Sequence, residues 1–267
     1  MSISSDSRDI RKEITILARA DRVWRALTEA SELMQWYSLS AAVVPGGGGV
    51  VRLSSPGVHE FEMPIAAWEP NRRLACTQAG PGASALEFVL EESEAETRLR
   101  LTHSGFSAPE SADFYLERAV RDWEFYLQAL KLYLERHDGT PRRCVVCQAE
   151  ASNAVPAGMW SRLWSEAGML RVTHPEPTAE GRRYAITTAQ GDRLEGVVHT
   201  WSPPMDFSAT VTNLNDSWLR VHLVDLRSQG RCIVNLWLST YGVEARRVLE
   251  LQSRFDRMFA ELFGEAG

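Results

Sequence analysis

Lysine is almost missing from this chain: Lys12 and Lys131 stand alone among 29 basic residues, and the rest are arginine. The preference reads as genome composition rather than a binding device. Positive charge is not in excess, because 35 acidic residues leave a net charge of -6. That balance gives no electrostatic footprint for nucleic acid or an anionic membrane surface. Long hydrophobic runs are missing too, and no window approaches the roughly 20 apolar residues that a membrane span needs. The opening stretch, MSISSDSRDIRKE, is polar and holds no apolar leader segment. A soluble cytoplasmic protein is the expectation. Cysteine is scarce, and four in 267 residues do not make a disulfide scaffold. Catalytic signatures are absent: there is no Gly-x-Ser-x-Gly, no His-Glu-x-x-His and no dinucleotide fingerprint. The GGGG at 46–49 is a turn between strands and not a phosphate loop, since no Gly-Lys-Ser/Thr follows it.

What the chain does have is apolar material in ordered patterns. A hydrophobic share of 44% and a charged share of 24% belong to a globular protein with a real core, of one large domain or two ordinary ones. Residues 116–135 carry the clearest pattern. Leu116, Val120, Trp123, Leu127, Leu130 and Leu134 recur at helical spacing, with arginine, glutamate and lysine on the other face. Such a helix must cover something, and the segments upstream supply it.

Residues 10–18 alternate as a first strand, with Ile10, Ile14 and Ile16 to one side. Two short helices follow. The first has Asp21 as its expected N-cap and Val23, Trp24 and Leu27 as its apolar face. The second runs from Ser31 to near Trp36. Short alternating segments then occupy 50–54, 58–68, 73–78, 84–91 and 96–103. Phe61, Met63 and Ile65 share a face of one strand, Leu86, Phe88 and Leu90 of another, and Leu99, Leu101 and His103 of the last. Short turns between neighbours imply an antiparallel meander. Gly139 and Pro141 end the long helix and mark the domain boundary.

The order then repeats in outline. MWSRLW (159–164) parallels VWRAL (23–27), HTWSPPMDF (199–207) parallels AAWEPNRRL (66–74), and 246–263 parallels the long helix. The offsets are 136 from Trp24 to Trp160, 133 from Trp68 to Trp201 and about 132 from Trp123 to Phe255. Near-constant offsets indicate a duplicated domain.

Strand, two short helices, six-strand meander and a long C-terminal helix is the order of the helix-grip fold. Residues 10–137 resemble the SRPBCC (START/polyketide-cyclase) superfamily, and more narrowly the homologues of the activator of heat-shock protein 90 ATPase. The residues that carry the resemblance are Val23, Trp24, Ala26 and Leu27, Trp36, the Trp68-Glu69-Pro70 turn, Thr97, Leu99 and Leu101, the His103-Ser104-Gly105-Phe106 motif, and Trp123, Leu127 and Leu130. The resemblance implies an α+β fold, a curved antiparallel sheet around the long helix with an apolar cavity between them. Two tandem copies are expected, at 1–138 and 143–267. The second is degenerate: it lacks the GGGG turn and a Trp36 equivalent, and Leu238 stands where His103 stands.

The expected function is binding of a small apolar molecule by the first domain, at a site made of Trp36, Phe61, Met63, Phe88, Leu101, His103, Trp123, Leu127 and Leu130. Trp123, Leu127 and Leu130 are expected to form its floor. Two alternatives stay open, a co-chaperone activating a heat-shock ATPase and a cyclase, lyase or hydrolase using the same pocket. The enzyme reading would need a partner orienting His103, with Tyr126 the nearest candidate and no carboxylate assignable. No catalytic residue, metal or cofactor is assigned. Cys144-Val-Val-Cys147 has redox spacing but lies in a strand, which puts its thiols on opposite faces. A homodimer and a chaperone are left open as further partners.

Overall fold

The computed structural model describes residues 9–55, 58–78, 84–106, 112–170, 172–173, 180–226 and 229–264. The chain divides into two compact units, Met1–Gly139 and Thr140–Gly267.

The first unit opens with strand β1 (Ile10–Ile16), whose Ile10 and Ile16 are buried while Arg11 and Glu13 face out. Helix α1 (Ala20–Thr28) buries Val23, Trp24 and Leu27. It starts two residues earlier than its sequence suggests. Arg19, in extended geometry, takes the N-cap position without a side-chain cap, and Asp21 lies inside the first turn. There its negative charge meets the positive end of the helix dipole, so the acidic residue still favours this start. Helix α2 (Ala30–Trp36) follows at once and ends on a buried tryptophan, whose indole N–H donates to the Ala26 carbonyl at 2.9 Å. That bond fixes α2 against α1.

Strands β2 (Ser40–Val44), β3 (Val50–Ser55), β4 (Val58–Glu69), β5 (Arg73–Gln78), β6 (Ser84–Ser93) and β7 (Glu96–Ser104) form the meander. With β1 they make an antiparallel seven-stranded sheet among the described residues, in the order β1-β7-β6-β5-β4-β3-β2. Two features bend it. The β4–β5 register shifts between Ile65 and Ala67, a local irregularity that kinks a strand. The glycine turn before β3 locks onto the same place: Gly48 N–H donates to the Ile65 carbonyl at 2.9 Å, and Ile65 N–H donates to the Gly49 carbonyl at 2.8 Å. A Cβ on Gly49 would fall 2.0 Å from the Val44 carbonyl oxygen, and Gly46 and Gly48 have positive φ, so the turn requires glycine.

Helix α3 (Ala112–Arg136) lies across this sheet. Trp123, Leu127, Leu130 and Leu134 of its stripe are buried, and so are Phe125, Ala129 and Leu132 on other sides. The helix is therefore less one-sided than its pattern suggests. Its C-terminal end is tied down by Arg22, which donates to Glu32 at 2.6 Å, to Asp138 at 2.7 Å and to the Tyr133 hydroxyl at 3.1 Å. The Tyr133 hydroxyl donates in turn to Glu32 at 3.0 Å, so α1, α2 and α3 share one polar knot.

The second unit repeats the plan with β8 (Arg142–Ser152), α4 (Pro156–Leu163), β9 (Val172–Thr173), β10 (Arg183–Thr187), β11 (Arg193–Ser202), β12 (Asp206–Val211), β13 (Ser217–Leu226), β14 (Arg231–Tyr241) and α5 (Ala245–Phe263). Its sheet order is β8-β14-β13-β12-β11-β10-β9, the first unit's order with seven added to each strand. The register irregularity recurs in the equivalent strand, between Val198 and Thr200 of β11. One helix, α4, stands where the first unit has two among the described residues. Val248, Leu251, Phe255, Met258 and Phe259 of α5 are buried in the unit's apolar cluster together with Leu219, Val221, Leu236 and Leu238 of the sheet. The chain is thus an α+β protein of two tandem helix-grip units. Cys144 and Cys147 lie on opposite faces of β8: Cys144 meets Ser239, and the Cys147 thiol reaches Asp256 of α5 at 3.4 Å. Among the described residues no helix is long and apolar enough to cross a membrane.

Candidate functional site

In the first unit the curved sheet and α3 do not close on each other completely. A cavity of about 220 Å³ lies between them. The sheet contributes Leu53, Phe61, Met63, Cys76 and Leu86, and α3 contributes Ala119, Asp122, Trp123 and Tyr126. Tyr37, the residue that ends α2, completes the inner wall. Ala119, Asp122, Trp123 and Tyr126 are spaced three, one and three apart, so they share one side of the helix. Ala119 presents only a methyl group, and this is where space is left. A second void of about 20 Å³ shares the Tyr37, Leu53, Met63, Cys76 and Leu86 wall and reaches Trp36 and Phe88.

The walls are aromatic and ordered relative to one another. Tyr37 stacks on Trp36 at 5.0 Å and on Trp123 at 5.8 Å, with interplanar angles of 23° and 20°. Tyr126 meets Tyr37 edge-on at 4.5 Å, and Phe88 meets Trp123 edge-on at 5.8 Å. Rings held this way present flat faces at little entropic cost on binding. Burial pushes the Tyr37 hydroxyl far above its ordinary range, so it stays protonated. Among the described residues, charge at the cavity comes from Arg118 and Asp122, which pair at 3.5 Å one turn apart on α3.

His103, near the end of β7, is the one imidazole on the cavity wall among the described residues. Its Nδ1 accepts the Trp123 indole N–H at 3.0 Å, and Phe106 lies edge-on to its ring at 4.6 Å. Burial lowers its pKa from the usual 6.5 to about 4, because the charged ring would lose hydration without gaining a counter-charge. The orienting partner is therefore neither backbone nor Tyr126. It is an indole, which only donates. With Nδ1 accepting, the proton of the neutral ring resides on Nε2. In that state the imine lone pair of His103 is engaged by the indole.

The structure brings Phe61, Met63, His103 and Trp123 together on the main cavity. Trp36 and Phe88 touch only the small inner void, and Trp36 is 2% exposed. Leu101, Leu127 and Leu130 do not line either space. They are 1%, 2% and 0% exposed and belong to the solid core. The expected floor of Trp123, Leu127 and Leu130 is thus corrected: the lower half of α3 lies close enough to the sheet for leucines to fill the gap. The cavity opens a turn earlier, opposite Ala119. The sequence reading missed Tyr37, Ala119 and Asp122. The available signal was a second helical stripe, 119, 122, 123 and 126, which polar Asp122 hides from a search for apolar repeats.

Residues 17–135 match the family model described as activator of Hsp90 ATPase homolog 1-like protein. No curated protein matches the chain. Among solved structures, the Aha1 dimer from Colwellia psychrerythraea is 26% identical, over 49% of this chain and 98% of that one, with a TM-score of 0.44. The di-domain ARO/CYC protein BexL of the BE-7585A biosynthetic pathway is 16% identical over 97% of this chain and 99% of its own, with a TM-score of 0.45. DynU16, a putative protein of the dynemicin biosynthetic locus, is 18% identical over 96% of both chains, with a TM-score of 0.44.

Proposed function

Taking residues 17–135 as an AHSA1-like domain of the SRPBCC superfamily, we propose that the first unit binds one small, largely apolar molecule between α3 and its sheet. The observation behind this reading is the cavity of about 220 Å³ with its wall of Tyr37, Phe61, Met63, Trp123 and Tyr126. A concave apolar space with a few polar groups is the usual form of a small-molecule site. By comparison with an apolar cavity of about 150 Å³ that takes up benzene, the size suits a molecule of one or two rings. The neutral tautomer of His103, whose Nδ1 is engaged by the Trp123 indole, favours binding over catalysis. A co-chaperone role has the family's description behind it and no residue of this chain.

Titration of the full chain with naphthalene, read by quenching of tryptophan fluorescence, tests the proposal. The expected result is saturation at one molecule per chain. An Ala119→Phe variant, whose ring fills the cavity from α3, should lose this saturation while its circular dichroism stays native. Equal, non-saturating quenching in both proteins would remove the proposal.

A further inference from the structure

We infer that His103 is a fixed hydrogen-bond donor within this cavity, so that the ligand is a flat, neutral, largely apolar molecule carrying a hydrogen-bond acceptor such as a ring ketone. This rests on the binding proposed above and specifies its chemistry.

The assignment of the proton comes from geometry. An indole nitrogen has a hydrogen and no available lone pair. Its contact with His103 Nδ1 at 3.0 Å can only run from Trp123 to the imidazole. A neutral imidazole with Nδ1 as acceptor carries its hydrogen on Nε2. That Nε2–H makes no hydrogen bond to any described residue. Phe106 and Trp123 flank the ring edge-on and offer it no oxygen. The Nε2–H is not sealed from solvent, but an apolar ligand that displaces the water there leaves it without an acceptor, so a ligand that brings its own acceptor is favoured.

The other features narrow the class. Tyr37 and Trp123 both line the cavity with near-parallel rings, which suits a planar ring system. Arg118 and Asp122 pair with each other, so neither sign of charge is left over for an ionised ligand. The burial that keeps His103 uncharged holds the donor in one state across the physiological range. A ligand acid or amine would meet no fixed counter-charge at the imidazole, and a carbonyl would meet its donor.

Indane and 1-indanone test this, since they match in size and flatness and differ in one carbonyl. Binding to the full chain is followed by tryptophan fluorescence, and the indanone C=O stretch by infrared difference spectroscopy. Expected is about five- to tenfold tighter binding of 1-indanone, the worth of one neutral hydrogen bond, with the stretch moved to lower frequency. His103→Leu should abolish the preference for 1-indanone over indane and the shift. His103→Gln should restore both, because its amide can accept from Trp123 and donate to the ketone. Equal binding of the two compounds to the native chain, with an unshifted stretch, would overturn the donor role and leave the cavity reading standing. Binding of neither compound would overturn the cavity reading and this inference with it. The native-chain comparison holds whether or not either variant folds.

Discussion

The Trp123 indole N–H donates to Nδ1 of His103 at 3.0 Å and so joins the middle of α3 to the end of β7. One bond sets the tautomer of the imidazole, fixes both rings on the cavity wall and closes the helix onto the sheet. Trp123→Phe keeps a six-membered aromatic ring but removes the pyrrole half of the indole with its N–H. It should cost about 2–4 kcal/mol of stability, the loss of the hydrogen bond together with buried packing around Trp123. Nitrogen-15 spectra of His103 should show a single Nε2–H tautomer in the native chain and a mixture in the variant. A mixture in the native chain would refute the assignment.

Acid should weaken the fold through the same residue. His103 has a folded pKa of about 4 against 6.5 ordinarily. Between those values the unfolded chain binds more protons than the folded one, so stability rises with pH across the window. Above pH 6.5 both states are neutral and this contribution is flat. The loss on going down to pH 4 should be about 1–3 kcal/mol. Urea melts at a series of pH values should show it, and His103→Gln should flatten that part of the profile.

Core and cavity positions should separate in their effects. Leu127 and Leu130 are buried without touching the cavity, so either leucine replaced by alanine should cost roughly 2–5 kcal/mol. Phe61 lines the cavity while 42% exposed, so Phe61→Ala should change stability by only about 0.5 kcal/mol. It should weaken naphthalene binding several-fold. Denaturant melts and probe titrations on the same three variants check the distinction. A Leu127→Ala chain that stays as stable as the native one would place that residue outside the core.

The second unit makes its own prediction. Arg220 and Asp206, each 3% exposed at the side chain, pair across adjacent strands with contacts of 2.5 and 3.2 Å. Removing the carboxylate takes the bidentate partner from a buried guanidinium, a loss that typically costs about 3–5 kcal/mol. Asp206→Ala should therefore lower the unfolding midpoint far more than Asp216→Ala, a turn substitution on the same unit.

The fold was legible because burial writes itself into period. Alternation in IRKEITI gives β1, the three-four spacing from Leu116 to Leu134 gives α3, and glycines at 46–49 mark a turn that admits nothing larger. The duplication showed in tryptophan and phenylalanine offsets, because large aromatics mark the same structural places in both units. The site was legible only in part. Phe61, Met63, His103 and Trp123 were accessible because their faces follow from strand and helix period. Whether a leucine on α3 fills space or borders it depends on how closely helix and sheet approach. No local pattern encodes that distance, so Leu127 and Leu130 were placed on the cavity floor. The Trp123–His103 bond was hidden for a related reason: it links a strand end to a helix through tertiary packing, and an indole is not the partner that catalytic patterns lead one to seek.

The most direct test of the central claim is an NMR titration of the full chain with indane, observing the Met63 methyl and the Trp123 indole N–H. Saturable shifts of both signals at one equivalent, absent in Ala119→Phe, are expected if a small apolar molecule enters between α3 and the sheet. Binding that leaves both signals in place would contradict it.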